Sequence, residues 1–265
     1  MHLYNDENIR FARPHFPSSV KEAIHSTSRP LPLKNEGSLA GISDTKCILR
    51  QGNYSICLAN SPRQCSLVNK LVKSMYSWRG YHTEGSAISS HNPNQLTLEA
   101  SIGQDLAGTL TIGVDSKEGL LVDTLYEQEL KTLRAKDRKV CELSKLAIDP
   151  VHSSKELLAS LFNLAYIYGR IVRKATDFVI EINPRHKGYY KRILGFRQIG
   201  ETRTCQRVNA PAVLLHLELD YVDTQILSLA GSPDPRQRSL YAYFLTKTEE
   251  HRVANNLMRH SLATH

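Results

Sequence analysis

Glu142 is the acid whose surroundings best suit acid–base chemistry, because it lies in the apolar segment VCELSKLAI. Leu146 and Ile148 are expected to face a layer of helices, and Glu142 and Ser144 share their parity and therefore point the same way. Partial burial would raise the pKa of this carboxyl toward that of a general base. Glu142 and Ser144 are thus candidate catalytic residues. An ion pair with Lys145 is the structural alternative for Glu142.

Asn183, Arg185 and His186 follow a second apolar segment, FVIEI. In open α/β sheets, ligands bind outside the carboxyl ends of strands. Arg185 is suited to a two-pronged contact with a carboxylate, and His186 can act as an acid or a base near neutral pH. The structural alternative is a turn in which the imidazole caps a helix.

Arg79 and Tyr81 belong to the run WRGY, which ends the first predicted helix. Side chains at that helix end are candidates for lining an acyl or aromatic pocket. Core packing is the alternative for this run.

The elements that position these residues have the order β-α-β-β-(α)-β-α-β-α-β-β. Predicted strands cover 54–58, 95–101, 106–114, 140–148, 178–182, 195–204 and 213–219. Predicted helices begin at Ser61 and cover 125–133, 187–193 and a stretch from Ser153 or Ser154 to about Lys174. This order predicts an α/β fold with a single mixed sheet and helices on both faces. The sheet is expected to splay centrally, between the strands at 140–148 and 178–182.

Three regions are predicted along the 265 residues. Residues 1–45 form a flexible N-terminal extension, because 17–45 is rich in Ser, Pro and Gly. Residues 46–222 form the packed domain, and 223–265 form a peripheral, helical C-terminal extension.

Several classes of protein are disfavoured by what the sequence lacks. The longest apolar stretch, 157–168, is too short to cross a bilayer, and no secretory signal is visible, so we expect a cytoplasmic protein. Five cysteines without a CxxC pair predict neither a disulfide framework nor a zinc ribbon, in keeping with a reducing cytosol. The scattered histidines give no support to a metal site.

Charge is distributed unevenly along this chain of net charge +8. Residues 183–207 carry seven basic groups and one acid, whereas 81–130 carries eight acids and one Lys. Clustered positive charge favours an anionic partner: a nucleic acid, a membrane face, a phosphorylated ligand or an acidic protein. A solvated basic face without a partner is the alternative. No helix-turn-helix, RRM or zinc-finger pattern is present, which argues against nucleic acid.

Three segments resemble the long-chain N-acyl amino acid synthases: VCELSKLAIDP, NPRHKGYYKRILGF and IGETRTCQRVNAPAVLLHLEL. That family lies in the GCN5-related acyltransferase superfamily, near the acyl-homoserine lactone synthases, and the resemblance covers about 50–220. It implies a GCN5-related fold and makes 46–222 an acyltransferase domain. Lys145 stands where the lactone synthases usually carry Arg, which argues against a lactone product.

The resemblance implies that the donor is an acyl group on the phosphopantetheine of acyl carrier protein, with no permanently bound cofactor. The turn at 149–154 lacks glycine and contains Pro150, so it is poorly suited to cradling the pyrophosphate of coenzyme A. Acyl carrier protein is acidic, so the basic segments are expected to bind it. The candidate carrier-protein contacts are Arg134, Lys136, Arg138, Lys187, Lys191 and Arg192.

The acceptor implied by the resemblance is the α-amino group of an amino acid, with tyrosine as the first guess. Glu142 is expected to be the base, and amides near 143–145 to stabilise the oxyanion. Arg185 is the first candidate for holding the acceptor carboxylate and Arg203 the second, while His186 orients a group or relays a proton. Further candidate substrate-binding residues are Lys145, Arg79, Tyr81 and Asn183.

Two alternatives remain at this stage. One is a non-catalytic member of the fold that binds acyl carrier protein or another acidic partner. The other is an N-acetyltransferase that uses acetyl-coenzyme A.

Overall fold

The computed structural model describes residues 47–82, 92–232 and 236–262, so the predicted extension 1–45 lies outside the described residues. The strands are β1 Leu49–Gln51, β2 Tyr54–Leu58, β3 Gln95–Ile102, β4 Asp105–Val114, β5 Val140–Ile148, β6 Asp177–Ile182, β7 Arg197–Gln198, β8 Arg203–Cys205 and β9 Ala210–Glu218. The α-helices are α1 Pro62–Trp78, α2 Asp123–Arg134, α3 Lys155–Tyr166, α4 Lys187–Leu194, α5 Leu219–Leu229 and α6 Lys247–Leu262.

The strands form a mixed sheet in the order β1-β2-β3-β4-β5-β6-β9-β7, with β8 paired to β9. Neighbours are antiparallel except for β5 and β6, which run parallel. Within the described ranges, this confirms the predicted α/β fold with one mixed sheet. The second and third predicted strands are β3 and β4, which pair as an antiparallel hairpin.

Helices cover both faces of the sheet, as expected. On one face, α1 packs its apolar side on Leu106 and Ala147, while α2 packs on Val140, Val179 and Leu214. On the other face, α3, α5 and α6 join the largest buried cluster. We call these the α2 face and the α3 face.

Helix α1 begins as its sequence predicts. Ser61 is the N-cap, and its hydroxyl accepts a hydrogen bond from the Gln64 amide at 3.2 Å. The Gln64 side chain accepts in turn from the Ser61 amide at 3.1 Å, and Pro62 occupies the first helical position. Such a capping box satisfies amide groups that have no partner within the helix.

A β-bulge in β5 corrects the expected parity of this strand. Thr109 pairs with Ala147 and Thr111 with Ser144, so one residue of β4 opposes two of β5. Lys145 lies in the bulge and has a φ of 53°. Beyond it the strand has reversed its faces, and Ile148 packs in the α3 cluster, whereas Glu142 lies on the α2 face with Val140. The expectation that Glu142 shares a face with Ile148 is therefore wrong.

Two predicted elements differ from those observed. The long helix changes at Ile167 to a π-helix that ends at Val172, where Gly169 packs against the Phe178 ring. The strand predicted at 195–204 is divided into β7 and β8. Gly200, between them, lies so close to Tyr126 that an added Cβ would be 2.7 Å from the ring. Tertiary packing thus interrupts both elements.

The structure contains one disulfide that the cysteine count did not predict. Cys47 and Cys57 are bonded, while Cys65, Cys141 and Cys205 are free and buried. The β1–β2 hairpin brings Cys47 back beside β2, and the Ile48 amide donates to the Ile56 carbonyl at 2.8 Å. A bridge closed by a hairpin needs no wider disulfide framework.

The C-terminal segment is helical, and its side chains enter the main core. Leu240, Tyr241 and Leu257 are at most 1% exposed and belong to the cluster on the α3 face. Residues 240–257 therefore extend the core of 46–222. In the described parts of the chain, no helix is both long and apolar enough to cross a membrane.

Candidate active site

The sheet opens at its centre between β5 and β6. Their parallel pairing runs from Val140 opposite Asp177 to Glu142 opposite Val179 and ends there. Strand β6 nevertheless continues to Ile182, paired with β9. The backbone of β5 beyond Glu142 is thus separated from β6 where both strands approach their carboxyl ends, and the predicted splay is confirmed.

Glu142 lies at the base of this opening and is 2% exposed. Its Oε2 accepts a hydrogen bond from the Val122 amide at 3.2 Å, just before α2 begins. Burial raises the pKa of the Glu142 carboxyl to about 7, against the opposing effect of that amide. A carboxyl with this pKa is half ionised near neutral pH and can accept a proton there.

Two residues that the sequence analysis did not single out stand beside Glu142. Arg207 Nη2 donates to Glu181 Oε1 at 2.9 Å, and its Nη1 donates to the Leu121 carbonyl. Glu181 lies two residues beyond Val179, and therefore also on the α2 face. The signal that drew attention to Glu142, an acid within an apolar strand segment, is equally present in FVIEI and points to Glu181. Arg207 lies between strands, where the sequence gives no periodic signal.

Ser144 and Lys145 follow Glu142 along β5. Ser144 pairs with Thr111, and Lys145 occupies the bulge. Burial lowers the pKa of the Lys145 ammonium, and the nearby Glu142 carboxylate partly offsets that effect. The two groups are thus electrostatically coupled.

Asn183, Arg185 and His186 form a short turn after β6. The Asn183 side chain accepts from the Arg185 amide at 3.2 Å. Arg185 Nε donates to His186 Nε2 at 3.2 Å, and Arg185 Nη2 donates to the Tyr81 hydroxyl at 2.7 Å. Burial, reinforced by Arg185 and Arg79, lowers the pKa of His186 to about 4. The imidazole is therefore neutral at physiological pH and acts as an acceptor toward Arg185.

The residues at the end of α1 lie beside the turn that carries Arg185. Arg79 is half-buried, and burial lowers the pKa of its guanidinium, which also interacts electrostatically with Tyr81, Tyr76 and Arg185. The His82 amide donates to the Val208 carbonyl at 3.1 Å, which joins this end of α1 to the turn that carries Arg207. The structure thus brings Arg79, Tyr81 and Arg185 together.

Arg203 is engaged elsewhere. Its Nη2 donates to Glu129 Oε1 at 2.6 Å, and its guanidinium lies 4.7 Å from the centre of the Tyr126 ring. These contacts fasten β8 to α2. An arginine held in this way is poorly placed to bind a substrate carboxylate.

The six predicted carrier-protein contacts separate into two groups. Arg134 is bound by Asp115 and Asp123, and Arg138 makes two hydrogen bonds to buried Asp177. The other four side chains are exposed: Lys136, Lys187, Lys191 and Arg192.

In the turn after β5, polar groups form hydrogen bonds with one another. Asp149 Oδ1 accepts from the Val151 amide at 2.9 Å, and the His152 amide donates to the Asp149 carbonyl at 3.0 Å. Pro150 has no amide hydrogen. Among the residues described, no group of three or more His, Cys, Asp or Glu could hold a metal ion.

The model of the N-acyl amino acid synthase FeeM family matches residues 68–218, more than half of the chain. The chain belongs to this family. Membership of this family makes it an acyltransferase. The match includes Glu142, Glu181, Arg185 and Arg207, so the site described above lies wholly within it.

The solved structure of FeeM agrees with this assignment. FeeM, an N-acyl amino acid synthase from uncultured soil microbes, is 28% identical with a TM-score of 0.56, over 63% of this chain and 90% of that one. A ribosomal-protein-S5-alanine acetyltransferase from Vibrio fischeri is 10% identical with a TM-score of 0.45, over 65% and 96%. A GNAT acetyltransferase from Streptococcus pneumoniae is 14% identical with a TM-score of 0.43, over 62% and 99%. A search of curated proteins found no match.

Proposed function

We propose that this N-acyltransferase moves a long-chain acyl group from acyl carrier protein to the α-amino group of an amino acid, with tyrosine as the first acceptor to test. The observation that carries the proposal is the position of Glu142 at the point where β5 and β6 part. A buried carboxyl of pKa about 7 stands there beside strand backbone that β6 no longer covers.

In the proposed reaction, Glu142 takes one proton from the acceptor ammonium, directly or through a water. The neutral amine attacks the thioester carbonyl, and amides of β5 near 143–145 stabilise the oxyanion. The C–N bond forms, the C–S bond breaks, and the second nitrogen proton goes to the departing phosphopantetheine thiolate. Glu142 releases its proton to solvent, so the products are an N-acyl amino acid, a free thiol and one proton.

Arg185 is the proposed contact for the acceptor carboxylate. Tyr81 and His186 hold its guanidinium through Nη2 and Nε, which supports a fixed orientation. The neutral imidazole fits the role of orienting Arg185. Asn183 shapes this turn, and Arg79 adds positive charge to the same region.

The turn at 149–154 supports a carrier-protein donor. A pyrophosphate is usually held by several free amides at a helix start. Here Asp149 occupies the amides of Val151 and His152, and Pro150 has none. Exposed Lys187, Lys191 and Arg192 offer an acidic carrier protein a cationic surface instead.

Mass spectrometry of lipid extracts from bacteria that express the wild type or Glu142→Gln tests the proposal. A ladder of acylated amino acids spaced by two methylenes, present only with the wild type, would support it and name the acceptor. Purified enzyme then compares acyl carrier protein with acyl-coenzyme A as donors. Micromolar binding of coenzyme A by calorimetry, with turnover of its acetyl thioester, would favour the acetyltransferase alternative.

A further inference from the structure

One oxygen of the Glu181 carboxylate, inside the site, can accept a further hydrogen bond. The Glu181 side chain is 9% exposed, and Oε1 accepts from Arg207 at 2.9 Å. Its other oxygen, Oε2, is buried and accepts no hydrogen bond from an N–H or O–H group among the described residues. A buried carboxylate oxygen with at most a weak thiol donor costs free energy, and a stronger donor supplied from outside the chain would recover it.

The surroundings of Glu181 indicate the chemistry of that donor. Glu142 and Tyr76 are close enough for its carboxylate to influence the pKa of both. Burial raises the pKa of the Cys205 thiol, and a hydrogen bond from this thiol, a weak donor, to the Glu181 carboxylate raises it further. Arg207 is already bound by Glu181 and by the Leu121 carbonyl. A small cation with several N–H groups, entering between the two carboxylates, would satisfy the remaining oxygen.

We propose that Glu181 binds the α-ammonium group of the acceptor amino acid through Oε2 and so holds it beside Glu142. This role rests on the proposed function, because it assumes an amino acid acceptor. Glu181 contacts the substrate and positions it, and Glu142 removes the proton. Arg207 fixes the Glu181 carboxylate on one side, which leaves the other side to the ammonium.

Calorimetry with two ligands that differ only in the ammonium tests this role. L-tyrosine and 3-(4-hydroxyphenyl)propanoate are titrated into the wild type and Glu181→Gln; if the product names another acceptor, that amino acid and its deaminated analogue are used. The wild type is expected to bind the amino acid at least about tenfold more tightly than the analogue. Glu181→Gln is expected to remove this preference and leave the affinity for the analogue within about twofold.

Glu129→Gln is the matched control, because it breaks another carboxylate–arginine pair of the α2 face, with Arg203. It should keep the preference for the ammonium. In steady-state assays, Glu181→Gln should raise KM for the amino acid about tenfold or more and lower kcat less than Glu142→Gln does.

The inference is overturned if Glu181→Gln retains the ammonium preference, or if it weakens both ligands equally, as a structural role would. If either result is obtained while the wild type still forms product, the inference about Glu181 is refuted and the proposed function is not. A wild type that binds neither ligand and forms no acylated amino acid refutes the proposed function as well.

Discussion

Glu142 and Val179 are the last two residues at which β5 and β6 lie side by side. Beyond this pair, β5 stays paired with β4 and β6 stays paired with β9, so a gap opens between β5 and β6. The same pair places a titratable carboxyl at the closed end of the gap. Position along the strand and degree of burial together give Glu142 its proposed task.

Replacing Glu142 by Gln should lower kcat about a hundredfold or more, as loss of a general base usually does. The amide keeps the shape of the side chain but accepts no proton at neutral pH. Turnover is measured with acylated carrier protein under saturating amino acid. Glu218→Gln, an exposed carboxylate paired with Arg197, is the control and should match the wild type. Turnover of Glu142→Gln within threefold of the wild type would exclude this role.

The pH dependence of the rate should report the ionisation of Glu142. Burial raises its pKa to about 7, so the proton-accepting carboxylate predominates above pH 7 and is lost below it. With saturating amino acid, we expect kcat to fall about tenfold for each pH unit below about 6. The residual kcat of Glu142→Gln should not show this fall at low pH. A fall that persists in the variant would have to come from the ionisation of another group.

Arg185→Ala should raise KM for the amino acid on the order of tenfold to a hundredfold, because a charged hydrogen-bonded contact is lost. Tyr81→Phe removes only the 2.7 Å hydrogen bond that steadies the guanidinium, so its effect should be smaller. Initial rates at saturating donor measure both. Arg197→Ala provides an exposed arginine control, and an unchanged KM in Arg185→Ala would place the acceptor carboxylate elsewhere.

Reversing the charge of Lys187, Lys191 and Arg192 together should raise KM for acylated carrier protein on the order of tenfold, and wild-type KM should rise with salt. These side chains are exposed, unlike Arg134 and Arg138, which are bound to carboxylates. Lys117→Glu, in the acidic region 81–130, is the single-site control. Salt-independent kinetics would contradict the proposed surface.

Gly169→Ala should reduce the free energy of unfolding by about 1–3 kcal/mol, as overpacking usually does. An added Cβ would lie 2.6 Å from the Phe178 ring, where the π-helix meets β6. Gly188→Ala in α4 is the matched control, since nothing lies within 4 Å of its added Cβ. Urea denaturation compares the two, and equal midpoints would show that the Phe178 contact relaxes without cost.

Local patterns predicted most of the elements because their causes are local. Ser61 and Pro62 mark the start of α1, and Gly195 ends α4 with a φ of 82°. The apolar runs of β5 and β6 predicted the central strands and the opening between them. These signals depend on neighbouring residues, which the sequence displays directly.

The parts that could not be predicted depend on contacts between distant residues. The bulge at Lys145 reverses the faces of β5, and no local pattern in the sequence predicts it. The sequence makes Arg203 a candidate ligand, but Glu129 and Tyr126, more than 70 positions away, hold its guanidinium. Arg207 reaches Glu181 only because the β8–β9 turn folds over the open end of the sheet.

The burial of residues 240–257 has a consequence for the preparation of the enzyme. The family match ends at residue 218, yet Leu240, Tyr241 and Leu257 fill the core against α3. A fragment trimmed to the matched region would expose a large apolar surface to water, and we expect it to aggregate. Expression boundaries should therefore follow the packing of the core and retain the chain at least through α6.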